Sequence, residues 1–216
     1  MREPDSYLAA MAGIRRGPGH PPHPGIEANA RLTGTTGILL VVMLFAEGVT
    51  IPFIGPLITW HIAIGLALIP PVALKLGSTL WRFARYYLRD PRYRRAGPPH
   101  PALRALGPVV VVTTVAVMAS GVAAWLAGPP AHLLVLLHKA SFVVWFGAMT
   151  IHVLAHALRA GRLAWADRAR RRPRRAVPYR RVRQALVVLS LVAGVALGLA
   201  TRGMVSGWTT WVHAAH

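Results

Sequence analysis

Residues 57–80 read LITWHIAIGLALIPPVALKLGSTL, an apolar run that carries a histidine, His61, and a lysine, Lys75. About 20 mostly apolar residues let a helix cross the hydrocarbon core of a bilayer, so the stretch is long enough to span. Ionisable side chains are costly at that depth and mark functional positions by default. Pro70-Pro71 predicts a kink rather than an end, because apolar residues continue on both sides. Four further runs of similar character lie at 33–54, 106–127, 131–158 and 184–202. Gly55-Pro56 and Gly128-Pro129-Pro130 leave only very short turns, so spans one and two, and spans three and four, are antiparallel neighbours.

The composition agrees. Of 216 residues, 54% are hydrophobic and only 14% charged, well under the quarter usual for a soluble domain. A net charge of +19 invites a nucleic-acid reading, but the basic residues fall in blocks between the apolar runs. No nucleic acid is expected as a partner; membrane lipid is. The absence of cysteine excludes disulfides, thiolate metal sites and thioether-attached cofactors. No Walker loop, dinucleotide glycine fingerprint, serine triad or HExxH is present.

Arginine placement predicts the topology. Four arginines precede the first span, seven lie in 82–104 and eleven in 159–183; the turns at 55–56 and 128–130 and the tail after Gly203 hold none. By the positive-inside rule the N-terminus and both long connections are cytoplasmic and the C-terminus extracytoplasmic, in a multi-pass protein of the cell inner or plasma membrane. Residues 1–30, rich in proline and glycine, read as a flexible cytoplasmic leader, 159–183 as a basic cytoplasmic loop that anchors to anionic lipid, and 203–216 as an extracytoplasmic tail. Trp208 and Trp211 suit the outer interface.

The polar residues inside the spans share one interval. His61 and Lys75 are fourteen residues apart in span two, and His138 and His152 fourteen apart in span four. Spans one and three repeat the interval with Gly34 and Gly48, and with Gly107 and Gly121. Fourteen residues are close to four helical turns, about 21 Å of rise, so each pair shares a helix face. Spans two and four run in the same direction. His61 and His138 therefore share an outer level with Gly48 and Gly121, and Lys75 and His152 an inner level with Gly34 and Gly107. A flat macrocycle between four helices needs an axial ligand on each side and helices without side chains at its edges.

This pattern resembles the four-helix haem-binding core of cytochrome b and, more loosely, bacterial cytochrome b561-like proteins, over roughly residues 33–158. The resemblance implies an all-α integral membrane protein: a four-helix transmembrane haem bundle at 31–158, with a fifth transmembrane helix at 184–202 peripheral to it. It makes His61 and His138 axial ligands of a haem b near the outer face, edged by Gly48 and Gly121. At the inner level Gly34, Gly107 and His152 match, but Lys75 stands where the family has histidine. A second haem there would need Lys/His ligation, and the sequence leaves open one haem or two. The implied activity is electron transfer between the quinone pool and a membrane or extracytoplasmic oxidoreductase partner. Two other readings stay open: a haem-free membrane scaffold or assembly subunit that kept the bundle, and a quinol-oxidising enzyme with Glu47 as proton acceptor. Glu47 has Thr50 and Lys139 as alternative partners. His156, one turn inward of His152, could meet a propionate or quinone but by default caps the helix end with Arg159, whereas Arg82 and Arg85 face the inner interface, where lipid phosphates are the default partners. His20, His23, His100, His132, His213 and His216 fall in loops or tails with no metal-site spacing.

Overall fold

The computed structural model describes residues 24–95, 101–169 and 179–214, with side chains described over 24–93, 105–155 and 179–212. The leader's first 23 residues, the arginines of 170–175 and His20, His23, His100 and His216 lie outside the described residues, as do the side chains of His156 and His213. Every described element is helical: α1 Pro24–Thr50, α2 Ile54–Ala67, α3 Ile69–Tyr87, the short α4 Pro91–Arg95, α5 Pro101–Ala127, α6 His132–Ala169, α7 Arg180–Thr201 and α8 Ser206–Ala214, with a turn of 3-10 helix at Arg202–Met204 before α8.

Five helical stretches are long and apolar enough to cross a membrane: Pro24–Thr50, Ile54–Tyr87, Ala105–Ala127, His132–Ala155 and Arg180–Met204. They match the five expected spans. Their outward faces carry large apolar side chains, among them Ile38, Phe45, Leu126 and Val143, each at least two-thirds exposed. On a water-soluble protein such a surface would aggregate; in a bilayer it is the lipid contact. The chain is a multi-pass, all-α membrane protein.

The expected kink falls at Leu68, which separates α2 from α3 while keeping helical dihedrals. Leu68 N–H still reaches the Ile64 carbonyl, and Val72 N–H reaches Leu68. Pro71 has no N–H to offer the Ala67 carbonyl, so the ladder is interrupted there without the span ending.

Packing divides the bundle into two halves. In one, α1, α2, α3 and α7 pack together; in the other, α5 and α6 form a long antiparallel hairpin. The two halves meet chiefly where α2 packs on α5. Within the hairpin, Val110, Thr114, Val117 and Ala124 of α5 repeat at helical spacing and are buried together with Trp145, whose Nε1 donates to Thr114 Oγ1 at 3.1 Å. The fifth span differs from its expected peripheral place: α7 lies against both α2 and α3. Its buried face is small throughout, Ser190, Gly194, Gly198 and Thr201. A Cβ on Gly198 would sit 2.6 Å from the Ala63 carbonyl oxygen, and one on Gly194 would overlap the Ala67 carbonyl outright. Such close approach of backbones is how membrane helices associate without a hydrophobic driving force.

Beyond the 3-10 turn, α8 folds back across the short-turn end of the bundle. Trp208 and Val212 are buried against Ile58, with Ile62, Trp125 and Val135 packed around them. The tail thus contains a helix docked on the bundle.

Candidate functional site

The two hairpins place the polar residues by a simple symmetry. Glu47 and His61 lie at equal sequence distances either side of Ile54, so a tight turn there brings them to one level. The turn at Gly128–Ala131 does the same for Gly121 and His138. In the structure His61 Nδ1 lies 2.7 Å from Thr50 Oγ1 and 3.1 Å from Glu47 Oε1. His138 Nδ1 lies 3.2 Å from the Val117 carbonyl oxygen and 3.2 Å from Ser120 Oγ, which continues to Ser141 Oγ at 2.9 Å. The two imidazole centroids are 6.4 Å apart, with the ring planes inclined at 67°.

Hydrogen-bond bookkeeping assigns both tautomers. The Val117 carbonyl only accepts, so His138 donates from Nδ1. Thr50 spends its one hydroxyl proton on the Glu47 carbonyl, at 2.5 Å, so its oxygen accepts from His61 Nδ1. Each neutral ring then presents a bare lone pair at Nε2, and neither Nε2 has a hydrogen-bond partner among the described residues. Gly121 makes this arrangement fit: a Cβ there would lie 2.9 Å from His138 Cε1. Gly65, one turn from His61, leaves similar room for Glu47, whose Oε1 would lie 3.2 Å from a Cβ at that position. Glu47 Oε2 is buried without a hydrogen-bond partner among the described residues.

The partnership of Glu47 with His61 was not drawn from sequence, where Thr50 and Lys139 were the expected partners. Thr50 is indeed adjacent, bonding the Glu47 backbone, whereas Lys139 is exposed on α6. The hairpin symmetry about Ile54 is the signal that carries the contact.

At the arginine-rich end the residues are arranged differently. Lys75 crosses to α1 and donates from Nζ to the Thr33 carbonyl at 2.6 Å, in the notch left by Gly37, where a Cβ would meet Nζ at 2.8 Å. Asn29 Nδ2 donates to the Ser78 carbonyl at 3.0 Å, and Thr33 Oγ1 to Ser78 Oγ at 2.9 Å. Lys75 thus neither snorkels along its own helix nor stands free; it ties α3 to α1. His152 is partly buried on α6 and has an interaction of its own. Cβ atoms at Gly34, Gly48 and Gly107 would each meet nothing within 4 Å. Nearer the helix end, Arg85 stacks over Trp81 at 4.8 Å and pairs with Asp90 at 3.7 Å. Among the described residues no three His, Asp or Glu side chains form a group able to hold a bare metal ion.

No protein-family model, no curated protein and no solved structure matches the chain. The fold and the site define a five-span helical membrane protein with one intramembrane histidine pair.

Proposed function

We propose that the chain is a membrane b-type cytochrome that carries electrons between the quinone pool and a redox partner through a haem held by His61 and His138. One observation carries the reading: two imidazoles from different halves of the bundle, each fixed through Nδ1 with Nε2 bare, stand 6.4 Å apart. With metal–nitrogen bonds of about 2 Å, two imidazoles that both bound one metal would stand a comparable distance apart. Two imidazoles are a poor site for a bare ion, but a porphyrin would bring its own four nitrogens and ask the protein for only two more.

The residues present fit that group. Val117 and Ser120 orient one ring, and Glu47 and Thr50 the other, as groups behind ligating histidines do. Gly48 is exposed on α1, with no protein atom within 4 Å of a Cβ, and its place at a porphyrin edge rests on the resemblance to cytochrome b alone. His61 and His138 would hold a haem b, which would supply a one-electron iron couple suited to electron transfer. At the other level Lys75 would have to leave the Thr33 carbonyl before ligating with His152, which favours a single haem. By arginine placement the histidine pair lies towards the extracytoplasmic face of the cell membrane, with the N-terminus cytoplasmic.

The quinol-oxidising reading has one observation on its side, the buried Glu47 Oε2 that lacks a partner beside His61. The deciding experiment is a reduced-minus-oxidised spectrum of detergent-purified protein with pyridine haemochrome quantitation. One haem per chain is expected, lost in both His61→Ala and His138→Ala. No haem after expression with haem supplied would overturn the cytochrome and leave the scaffold. Reduction by a quinol analogue that is abolished in Glu47→Gln with haem retained would favour the enzyme.

A further inference from the structure

The C-terminal helix touches α2, α5 and α6, three of the helices that bear the histidine site. Ile58 and Ile62 of α2 flank His61 at three residues and one residue, and Val135 of α6 lies one turn from His138. Trp125 of α5 lies one turn from Gly121. These are the side chains that enclose Trp208 and Val212 of α8. Trp208 Nε1 donates to the Trp125 carbonyl at 3.4 Å, a backbone group close to the end of α5, and Val212 packs at Gly55, where a Cβ would meet it at 3.6 Å. Gly207 rests over Pro129 of the second turn. The helix therefore bridges both hairpin turns, and its two buried side chains form an apolar layer one turn beyond the imidazoles. Its other face carries Ser206, Thr210 and the partly exposed Trp211, polar and indole groups suited to a membrane–water interface.

We propose that α8 is a seal that closes the short-turn end of the histidine site to water, so that the carrier exchanging electrons there is a lipid-soluble one arriving from the bilayer. The closure stands on the packing alone; the identity of the carrier rests on the haem reading. The two halves of the bundle are held together chiefly through α2 and α5 and, at one end, by α8. The imidazoles keep partial exposure, and the route inferred for the carrier is through the lipid-facing side.

The chain has no cysteine, so single cysteines report water access directly. Val135→Cys lies beneath the seal and Thr210→Cys on its exposed face. In nanodiscs, where both membrane faces meet solution, a charged thiol reagent is expected to label Thr210→Cys rapidly and Val135→Cys about tenfold more slowly or less. Adding Trp208→Ala should erase that difference, whereas Trp208→Phe, which keeps an aromatic ring while losing the N–H and part of the indole's bulk, should preserve most of it. Equal labelling of the two cysteines in the otherwise unaltered chain overturns the seal, as does protection that survives Trp208→Ala. A chain ending at Met204 repeats the test without relying on one substitution. In haem-loaded protein, ferricyanide, which takes one electron from ferrous iron, should oxidise slowly until Trp208→Ala is introduced. Fast oxidation of the unaltered protein with Val135→Cys still protected would overturn the bilayer route and leave the seal standing. If no haem is found, the labelling still decides the closure by itself.

Discussion

Gly121 has no side chain where the His138 imidazole lies: a Cβ there would come within 2.9 Å of Cε1 and 3.2 Å of Nδ1. In this structure the glycine makes room for the imidazole itself. Gly121→Ala must push the ring off the Val117 carbonyl, and loss of such an orienting bond typically weakens metal retention about 10–100-fold. Haem per chain, measured by pyridine haemochrome, should fall while far-ultraviolet circular dichroism keeps its helical signal. Gly48→Ala is the informative partner. Its Cβ meets no protein atom within 4 Å, so the fold tolerates it, and haem lost there would report a porphyrin edge against α1.

Glu47 stands behind His61 as Val117 and Ser120 stand behind His138, but it brings a carboxylate where the other ring has a carbonyl and a hydroxyl. Glu47→Gln keeps the shape and removes the acid. Haem should be retained, with affinity lower by about tenfold. A haem held by His61 would then titrate at a higher midpoint potential, since an ionised Glu47 beside that ring would favour the ferric form. Redox titration of the purified variant against the parent checks the sign.

The five spans were legible in the sequence because length and hydropathy decide them, and so was the level shared by His61 and His138, because two short turns fix the register of each hairpin. The place of the fifth helix was not. Its interface is Gly194 and Gly198 on backbone carbonyls, and glycines are too common in membrane helices for two of them to announce a partner. The direction of Lys75 was equally hidden. Its spacing matched a ligand position, yet Thr33 and Lys75 are also equidistant from Ile54, and that symmetry carries the contact seen. The docking of α8 depended on two residues, Trp208 and Val212, whose indole and isopropyl groups suit an interface or a core equally well.

Lys75→Met removes the donor to Thr33 while keeping an unbranched side chain in the Gly37 notch. Interhelical hydrogen bonds within membranes are worth about 0.6 kcal/mol on average and up to about 1.7, so a stability loss of about 1 kcal/mol is expected in a denaturant titration in mixed micelles. Haem per chain should not change, since the histidine pair lies about 21 Å away along the helices. A drop from two haems to one would instead make Lys75 a ligand.

The Ala67 carbonyl, left without a helical donor by Pro71, packs against Gly194 of α7, and the two features explain each other. An interrupted ladder exposes a carbonyl that a side chain would crowd, and a glycine lets a second backbone close over it with Cα–H contacts of the kind common between helices. Gly194→Val cannot keep that approach. Overpacking of this kind costs about 1–3 kcal/mol, and the cost should appear as a lower unfolding midpoint in detergent. Because α7 leads through the 3-10 turn into α8, the same substitution should loosen the helix that covers the histidine site, and charged-reagent labelling of Val135→Cys should rise with it. Val192→Leu, on the exposed face of α7, should leave the midpoint and the labelling at the parent values. Equal effects from both substitutions would mean that α7 is held by general bilayer packing, not by the glycine contact on Ala67.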